Sequence, residues 1–368
     1  MENKRVLFVG SFKATSKDGS VGGQMFACKT IINSYISNSI DWTLIDSTSD
    51  SNILGTNYNR IKKAIVRMIK FMYYIVFFKY DYVLIFMGDG WSIWEKGLMS
   101  VLAKFFTKSK VIIAPRSGFI LRDLSRKGKI SKFIKFVFNK IDIVICQSNL
   151  WKILFEDFSG QRNDFKFRII ENIIDFDKYE KLPVTNVKEN EKVTILFMAW
   201  VTKNKGIFEL IKAAKMLKEE SLNFHLIIAG KGEDYISVTD EIQNLGLFGC
   251  VTLKGWVLGE QKLELLSHAD IFVLPTYYEG YPNSLMEAMA SGKACIASRV
   301  GSIPDMIKNM ENGILIDKEN HFQLYQGLKI LIEYPELRRK MSLEAREHVR
   351  KTNTMQIGIS KFQKILSQ

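Results

Sequence analysis

Residues 270–292 read DIFVLPTYYEGYPNSLMEAMASG, and this stretch decides the fold. The apolar run 271–274 is typical of a short buried strand, and a loop rich in Pro, Gly and Asn follows it. The residues from 285 to 290 are good helix formers. A strand, a loop and a helix in this order form the ligand-binding corner of an open α/β sheet, at the carboxyl end of a strand.

The helix start in this corner suits an anionic ligand. The backbone N–H groups of Asn283, Ser284 and Leu285 would donate hydrogen bonds to a pyrophosphate without a metal. Glu287 lies one turn inside the helix, where its carboxylate can bind the two vicinal hydroxyls of a ribose, and Glu279 in the loop can face a sugar. The alternative is that both glutamates only stabilise the first helical turn and are solvated.

The same alternation of short apolar runs and amphipathic segments extends in both directions from this corner. It is typical of parallel sheets covered by helices, and it restarts after the polar stretch 181–192. We predict two Rossmann-like, doubly wound domains, 1–175 and 176–350. A final helix is expected within 351–368, and its return to the first domain is one possible arrangement. The predicted strands are 5–9, 42–45, 82–86, 111–114, 143–146, 193–198, 225–229, 251–253, 271–274 and 294–297.

Charge is distributed unevenly along the 368 residues. Residues 1–175 contain 27 Lys and Arg against 15 Asp and Glu, so they carry +12 of the total net charge of +13. A field of this kind attracts a membrane surface, a phosphorylated lipid or a nucleic acid. The segments 59–78 and 129–140 combine lysines with apolar residues at helical spacing. Their apolar stripes are expected either to pack on the sheet or to contact a membrane.

Several classes of protein are disfavoured by composition. The four cysteines, Cys28, Cys146, Cys250 and Cys295, form no C-x-x-C pair, which suits a reducing cytoplasm. The N-terminus resembles a first strand rather than a signal peptide, and charged residues interrupt the apolar stretch 71–87, so we predict no transmembrane helix. The D-x-D sequence at 175–177 precedes no strand-end pocket, and no metal is expected there.

The second half of the chain resembles the retaining family 4 glycosyltransferases, within glycosyl transferases group 1 and of the GT-B fold. Five motifs carry the resemblance in the order of the family: ILFMAWVTKNKGI at 195–207, HLIIAGKGE at 225–233, VTLKGWV at 251–257, the glutamates of 279–287, and VGSIPDMI at 300–307 with Asn-Gly at 312–313. Members of this kind act in bacterial cell-surface polysaccharide and glycolipid synthesis. The fold implied is two Rossmann-like domains that face each other across a cleft.

The resemblance also implies roles for particular residues. Lys205 would neutralise the donor diphosphate, Gly230, Gly232 and Val257 would contact the nucleotide, and Gly22 and Gly23 would face the donor from the first domain. Arg116 is the candidate for an acceptor or phosphate contact, and a surface arginine is the alternative.

One position departs from the family. Trp200 stands where an arginine usually binds the phosphates, and Lys203 is one candidate substitute.

The sequence therefore predicts a cytoplasmic, metal-independent, retaining glycosyltransferase without a cofactor, at the inner face of the plasma membrane if the basic domain binds lipid. The expected donor is a UDP-sugar, with GDP-mannose next, and the acceptor is a saccharide or a lipid-linked saccharide. The alternatives are a nucleotide-sugar epimerase of the same fold and a non-catalytic nucleotide-sugar-binding protein. Nucleic-acid binding is disfavoured because the basic segments present no row of aromatic stacking platforms.

Overall fold

Two parallel sheets follow each other along the chain in the computed structural model, which describes residues 3–13, 23–48, 57–126, 128–185 and 192–367. The chain divides into two units. The first consists of Met1–Ile173 and Met355–Gln368, and the second of Ile174–Thr354. The chain therefore passes from one unit to the other twice, and the second unit is inserted into the sequence of the first.

The first unit contains six parallel strands in the order β2-β1-β3-β4-β5-β6. The four inner strands of this order are apolar and mostly buried because helices cover both faces of the sheet, whereas the two edge strands are only partly buried. Their bounds are β1 Lys4–Gly10, β2 Ile40–Asp46, β3 Tyr82–Met87, β4 Lys110–Pro115, β5 Ile143–Cys146 and β6 Phe167–Ile169. The helices of this unit that precede β6 are α1 Gly23–Ile32, α2 Asn57–Phe77, α3 Trp91–Phe106, α4 Phe119–Ser125, α5 Lys129–Lys140 and α6 Asn149–Ser159.

The second unit has the strand order β12-β11-β10-β7-β8-β9, all parallel. Its strands are β7 Val193–Met198, β8 Phe224–Ala229, β9 Val251–Gly255, β10 Ile271–Leu274, β11 Ala294–Ser298 and β12 Ile314–Ile316. Its helices are α7 Phe176–Glu180, α8 Ile207–Glu219, α9 Tyr235–Asn244, α10 Gly259–His268, α11 Asn283–Ala290, α12 Ile303–Met306, α13 His321–Glu333 and α14 Pro335–Thr352. This is the doubly wound order of a dinucleotide-binding domain, and the α/β fold class predicted from the sequence is confirmed.

The last helix, α15 (Met355–Leu366), belongs to the first unit. Its residues Ile359, Phe362 and Ile365 are buried in the same apolar cluster as Ile173. Gly358 provides room for Ile173, because a Cβ at Gly358 would lie 2.3 Å from Ile173 Cγ1. Ile173, at the end of the first segment of this unit, thus packs against a glycine on the helix that covers it.

The sequence pattern misses the two edge strands β6 and β12, which have three residues each. Strands this short show no periodicity that a pattern could detect. The pattern also predicts one helix over 24–36, whereas α1 ends at Ile32 and a 3-10 helix follows at Tyr35–Ser39. The hydroxyl of Ser34 donates to the carbonyl of Ile31 at 2.7 Å, and such a local bond competes with helix continuation.

The two basic amphipathic segments differ in what they bury. On α5, Ile134, Val137 and Phe138 pack against the sheet and the lysines point to solvent. On α2, Ile61 and Ile65 are exposed, so its apolar stripe is not wholly used for packing. Among the described residues, no helix is both long and apolar enough to cross a membrane.

Phe362→Ala should lower the free energy of unfolding by about 3–5 kcal/mol, because it removes a fully buried ring from the core of the first unit. The exposed neighbour Lys364 offers a control, and Lys364→Ala should change stability by less than about 0.5 kcal/mol. Denaturant unfolding of both variants measures the difference. Equal stabilities would show that α15 contributes nothing to the core.

Candidate active site

The strand order of the second sheet reverses between β7 and β10, which lie side by side. β8 and β9 continue on one side of this pair, and β11 and β12 on the other. Ligands of open α/β sheets bind at such a switch point, outside the carboxyl ends of the strands. The loops that follow β7 and β10 carry Lys205 and Glu279, so the strand order itself places both residues at this point.

Lys205 and Glu279 form an ion pair in which the Lys205 ammonium donates to Oε1 of Glu279. Both side chains keep some solvent access, with 23% and 13% of their surfaces exposed. The two loops are also tied through the backbone, since the carbonyl of Asn204 accepts from the Tyr277 N–H at 2.8 Å and from the Thr276 hydroxyl at 3.2 Å. The structure thus brings together two residues predicted from separate motifs.

Glycines allow the strand-end loops of this sheet to pack backbone against backbone. A Cβ at Gly206 would lie 1.9 Å from the Pro275 carbonyl oxygen, and one at Gly301 would lie 2.0 Å from that of Glu279. Gly230 and Gly232 approach the carbonyls of Ala199 and Val201 equally closely, at 1.9 and 2.2 Å. Gly230 and Gly232 therefore have a packing role, and their predicted contact with the nucleotide remains a prediction.

Glu287 lies in the first turns of α11 with only 5% of its surface exposed. Its Oε1 accepts from the Lys262 ammonium at 2.6 Å and from the Tyr179 hydroxyl at 3.1 Å. Burial raises the pKa of Tyr179, and the adjacent negative charge of Glu287 raises it further, so this hydroxyl stays a donor. No described residue donates to Oε2, which leaves one carboxylate oxygen for the hydroxyls of a ligand.

The N-terminus of α11 begins after Pro282, and no side chain caps it. Its first helical residues are Asn283, Ser284 and Leu285, and the first N–H groups of any helix have no acceptor inside it. Ser284 is half-buried and Leu285 is fully buried. Since Glu279 and Glu287 lie in the loop before this helix and in the helix itself, the helix start and both carboxylates belong to one corner of the sheet.

The loop after β7 contains an aromatic residue where the family has a charge. The ring of Trp200 lies 4.9 Å from that of Trp256, which follows β9. The Nε1–H of Trp256 is buried and has no acceptor among the described residues. Val257 is half-buried beside it. Lys203 is exposed, and its backbone N–H donates to Asp234 Oδ2 at 2.6 Å.

Arg116, the candidate for an acceptor or phosphate contact, lies in the first unit directly after β4. Its Nη1 donates to Asn172 Oδ1 at 2.8 Å, its guanidinium lies 4.2 Å from the centre of the Phe86 ring, and its Nε is buried. Burial lowers the pKa of Arg116 to about 10. The loop before the crossover to the second unit thus holds this half-buried arginine, and its contact with an acceptor or a phosphate stays a prediction.

Most of the glycine-rich loop after β1 falls outside the residues that the structure describes. Gly22 falls within the undescribed residues 14–22, whereas Gly23 is the first residue of α1 and is exposed. The acidic pair of the D-x-D sequence occupies the start of α7, where Asp175 is the N-cap residue without a side-chain cap bond. Among the described residues, no group of three or more His, Cys, Asp or Glu could hold a metal.

Sequence reasoning missed the two groups that contact Glu287. Lys262 lies on the amphipathic helix α10, and Tyr179 follows the D-x-D sequence near the start of the second unit. Neither lies in a motif, so only their position in space distinguishes them. The single signal available was the proximity of Tyr179 to the predicted domain boundary.

Gly206→Ala should lower the free energy of unfolding by about 1–3 kcal/mol, because φ is +71° and the added Cβ would meet the Pro275 carbonyl. Gly249 is the matched control, since a Cβ there would have no atom within 4 Å. Denaturant unfolding compares the two variants. If Gly206→Ala is as stable as Gly249→Ala, the two loops are not closely packed.

Comparisons with known proteins agree with this geometry. Residues 178–348 match the family model described as glycosyl transferases group 1. An uncharacterized glycosyltransferase of Methanocaldococcus jannaschii is 26% identical over 286 residues, which are 74% of this chain and 71% of that protein. The N,N'-diacetylbacillosaminyl-diphospho-undecaprenol alpha-1,3-N-acetylgalactosaminyltransferase of Campylobacter jejuni is 31% identical over 160 residues, 44% of this chain and 41% of that protein.

The fold has a counterpart among solved structures. The structure of HepE from Anabaena in complex with UDP has a TM-score of 0.73 and 14% identity, and the match covers 99% of this chain and 100% of that one. At this identity the likeness concerns the fold alone, and it supports the GT-B architecture. Residues 178–348, which hold Lys205, Glu279 and Glu287, therefore form a domain of the glycosyl transferases group 1, and the Methanocaldococcus jannaschii relative that spans most of this chain is named a glycosyltransferase.

Proposed function

We propose that this chain transfers a sugar from a nucleotide-sugar donor to a hydroxyl of a saccharide or lipid-linked saccharide, with retention of the anomeric configuration. The observation that carries the proposal is the grouping of Lys205, Glu279 and Glu287 at the switch point of the second sheet. A cation, the start of a helix and two carboxylates match the phosphates and hydroxyls of such a donor.

In this proposal each of the two carboxylates contacts a different part of the donor. The free Oε2 of Glu287 is suited to the ribose hydroxyls, because the other oxygen is held by Lys262 and Tyr179. Glu279 lies in the loop that precedes the helix, where it is suited to the sugar. Lys205, next to Glu279, would neutralise the diphosphate together with the first N–H groups of α11. Since UDP is bound in the HepE structure, a UDP-sugar is the favoured donor and GDP-mannose is next.

The reaction we propose is a front-face substitution. The bond from the anomeric carbon to the phosphate oxygen breaks, the bond to the acceptor oxygen forms on the same face, and the acceptor proton passes to the leaving phosphate. Neither glutamate is then needed as a nucleophile. Catalysis would consist of positioning and of stabilising the departing diphosphate, without a metal or cofactor.

The acceptor is proposed to be an intermediate in the synthesis of a surface polysaccharide or glycolipid in the cytoplasm. The Campylobacter jejuni relative is named for an undecaprenol diphosphate acceptor, and the first 175 residues here carry a net charge of +12. All four cysteines are free, as a reducing compartment requires. A lipid-linked acceptor at the inner face of the plasma membrane suits these features.

Glu287→Gln should weaken UDP binding roughly tenfold or more, because a hydrogen bond to a charged group is worth about 1.5–3 kcal/mol. Glu279→Ala should reduce turnover more than it reduces nucleotide affinity, since its partner is the sugar. Calorimetric titration with UDP and GDP, together with transfer assays, measures both effects. Glu264 is exposed on α10, so Glu264→Gln is the control with no expected change. Unchanged UDP and GDP affinity in Glu287→Gln would remove this residue from the site.

Full activity should survive EDTA, since Lys205 and helix N–H groups take the place of a divalent cation at the diphosphate. Sugar transfer and donor hydrolysis are measured before and after chelation, and again after manganese is added. Loss of activity that manganese restores would contradict the proposal and return attention to Asp175 and Asp177. Sugar transfer that requires an acceptor separates a transferase from an epimerase, and any donor turnover excludes a binding protein.

A further inference from the structure

The outward face of α2 is apolar along most of the helix. Ile61, Ile65, Ile69 and Tyr73 follow one another at intervals of four residues, and each is more than half exposed. Phe77 continues the row and is 71% exposed. Each step of four residues turns by about 40° around a helix, so the five residues lie within one half of its circumference, away from the buried Phe71 and Ile75. Large apolar side chains in a continuous row on a surface indicate a binding face rather than ordinary exposure.

The neighbouring helix α3 presents a second row of the same kind. Trp91, Leu98 and Phe105 are spaced by two helical turns, and the two aromatic rings are 85% and 81% exposed. The buried residues Ile93 and Gly97 lie on the other side of this helix. The row therefore points away from the sheet.

Specific contacts hold these helices in one layer. Arg67 on α2 donates twice to the carboxylate of Glu95 on α3, at 2.7 and 2.9 Å. Trp94 on α3 stacks on Phe133 of α5, with ring centroids 4.5 Å apart. The apolar rows of α2 and α3, which we term the α2–α3 face, thus adjoin the exposed lysines of α5 within the first unit.

Charge distinguishes the kinds of partner that this face could meet. Residues 61–77, 91–106 and 129–140 together contain ten Lys or Arg and one Glu, a net charge of +9. A second copy of the chain would bring an equal positive charge against it, which opposes self-association. Apolar side chains flanked by lysines are typical of helices that lie in the surface of an anionic bilayer.

We propose that the α2–α3 face docks on an anionic phospholipid bilayer. Its apolar side chains penetrate to the boundary between headgroups and acyl chains, and the lysines of α2 and α5 contact the headgroups. Electrostatic attraction alone would leave these apolar side chains in water. Docking therefore includes their penetration into the bilayer in addition to the attraction of the lysines. The α2–α3 face lies within the first unit, and its binding to a bilayer does not depend on the proposed transfer reaction.

Vesicle flotation with the full chain tests the apolar contribution. Ile61, Ile65, Ile69 and Phe77 are changed together to Gln, which keeps helix propensity. Binding to vesicles of equal parts phosphatidylglycerol and phosphatidylcholine should weaken roughly a hundredfold or more. The matched control changes four exposed apolar residues of the second unit to Gln, Ile236, Phe248, Phe322 and Leu343, and should bind as the wild type does. Circular dichroism verifies that both variants fold.

A charge variant separates attraction from penetration. Changing Lys129, Lys132 and Lys135 together to Glu should also weaken binding to these vesicles roughly a hundredfold or more, while donor hydrolysis in solution is unchanged. Lipids brominated in the acyl chain should quench the fluorescence of Trp91 in the wild type. The quenching should fall in Trp91→Phe.

Three results would overturn the proposal. The first is vesicle binding that the Gln variant of α2 retains. The second is vesicle binding that high salt abolishes and that brings no quenching by brominated lipid. Such binding would show electrostatic attraction without penetration of the apolar side chains. The third is a stable dimer of the wild type that does not bind vesicles and that is lost in the Gln variant of α2. This result would identify the face as a contact between two copies.

Discussion

The close approach of backbones at the carboxyl edge of the second sheet is the constraint on which the candidate site depends. Gly206, Gly230, Gly232 and Gly301 each have a carbonyl oxygen at about 2 Å from where a Cβ would be, so no other residue fits without movement. Because loops from different strands interlock in this way, Lys205 and Glu279 meet although 74 residues separate them along the chain. Main-chain packing between the loops therefore fixes the positions from which the charged side chains of the site project.

The charges of the site are arranged in pairs that limit the cost of burial. Glu287 is almost wholly buried, and an unpaired carboxylate there would be strongly destabilising. Lys262 and Tyr179 supply the compensation on one oxygen, while the other remains for a ligand. The pair of Lys205 and Glu279 is more accessible, which suits the contacts with a diphosphate and a sugar that we propose for it. The difference in exposure agrees with different roles for the two glutamates.

The sequence predicted what periodicity and motif spacing encode. Strands β5, β7 and β10 have the bounds that their apolar runs indicate, and the loops after β7 and β10 carry the expected residues. Contacts between distant segments could not be predicted. Tyr179 and Lys262 stand in no motif, and Arg116 meets Asn172 only because the segments that follow β4 and β6 converge. The exposure of the apolar row of α2 could not be predicted either. Helical spacing shows that apolar residues share one side of a helix, but not whether the sheet covers that side.

The inserted position of the second unit affects the order of events during synthesis. Residues 174–354 form a continuous segment that can fold as soon as it leaves the ribosome, whereas the first unit lacks α15 until residues 355–366 are made. At about 5–20 residues per second, the apolar cluster that receives Phe362 waits roughly ten seconds or more after Ile173 has been synthesised. During that interval one face of the first sheet is uncovered, and the nascent chain is open to chaperones and to aggregation. A truncation that removes residues 355–368 would therefore damage the first unit rather than the second, although the second precedes the cut.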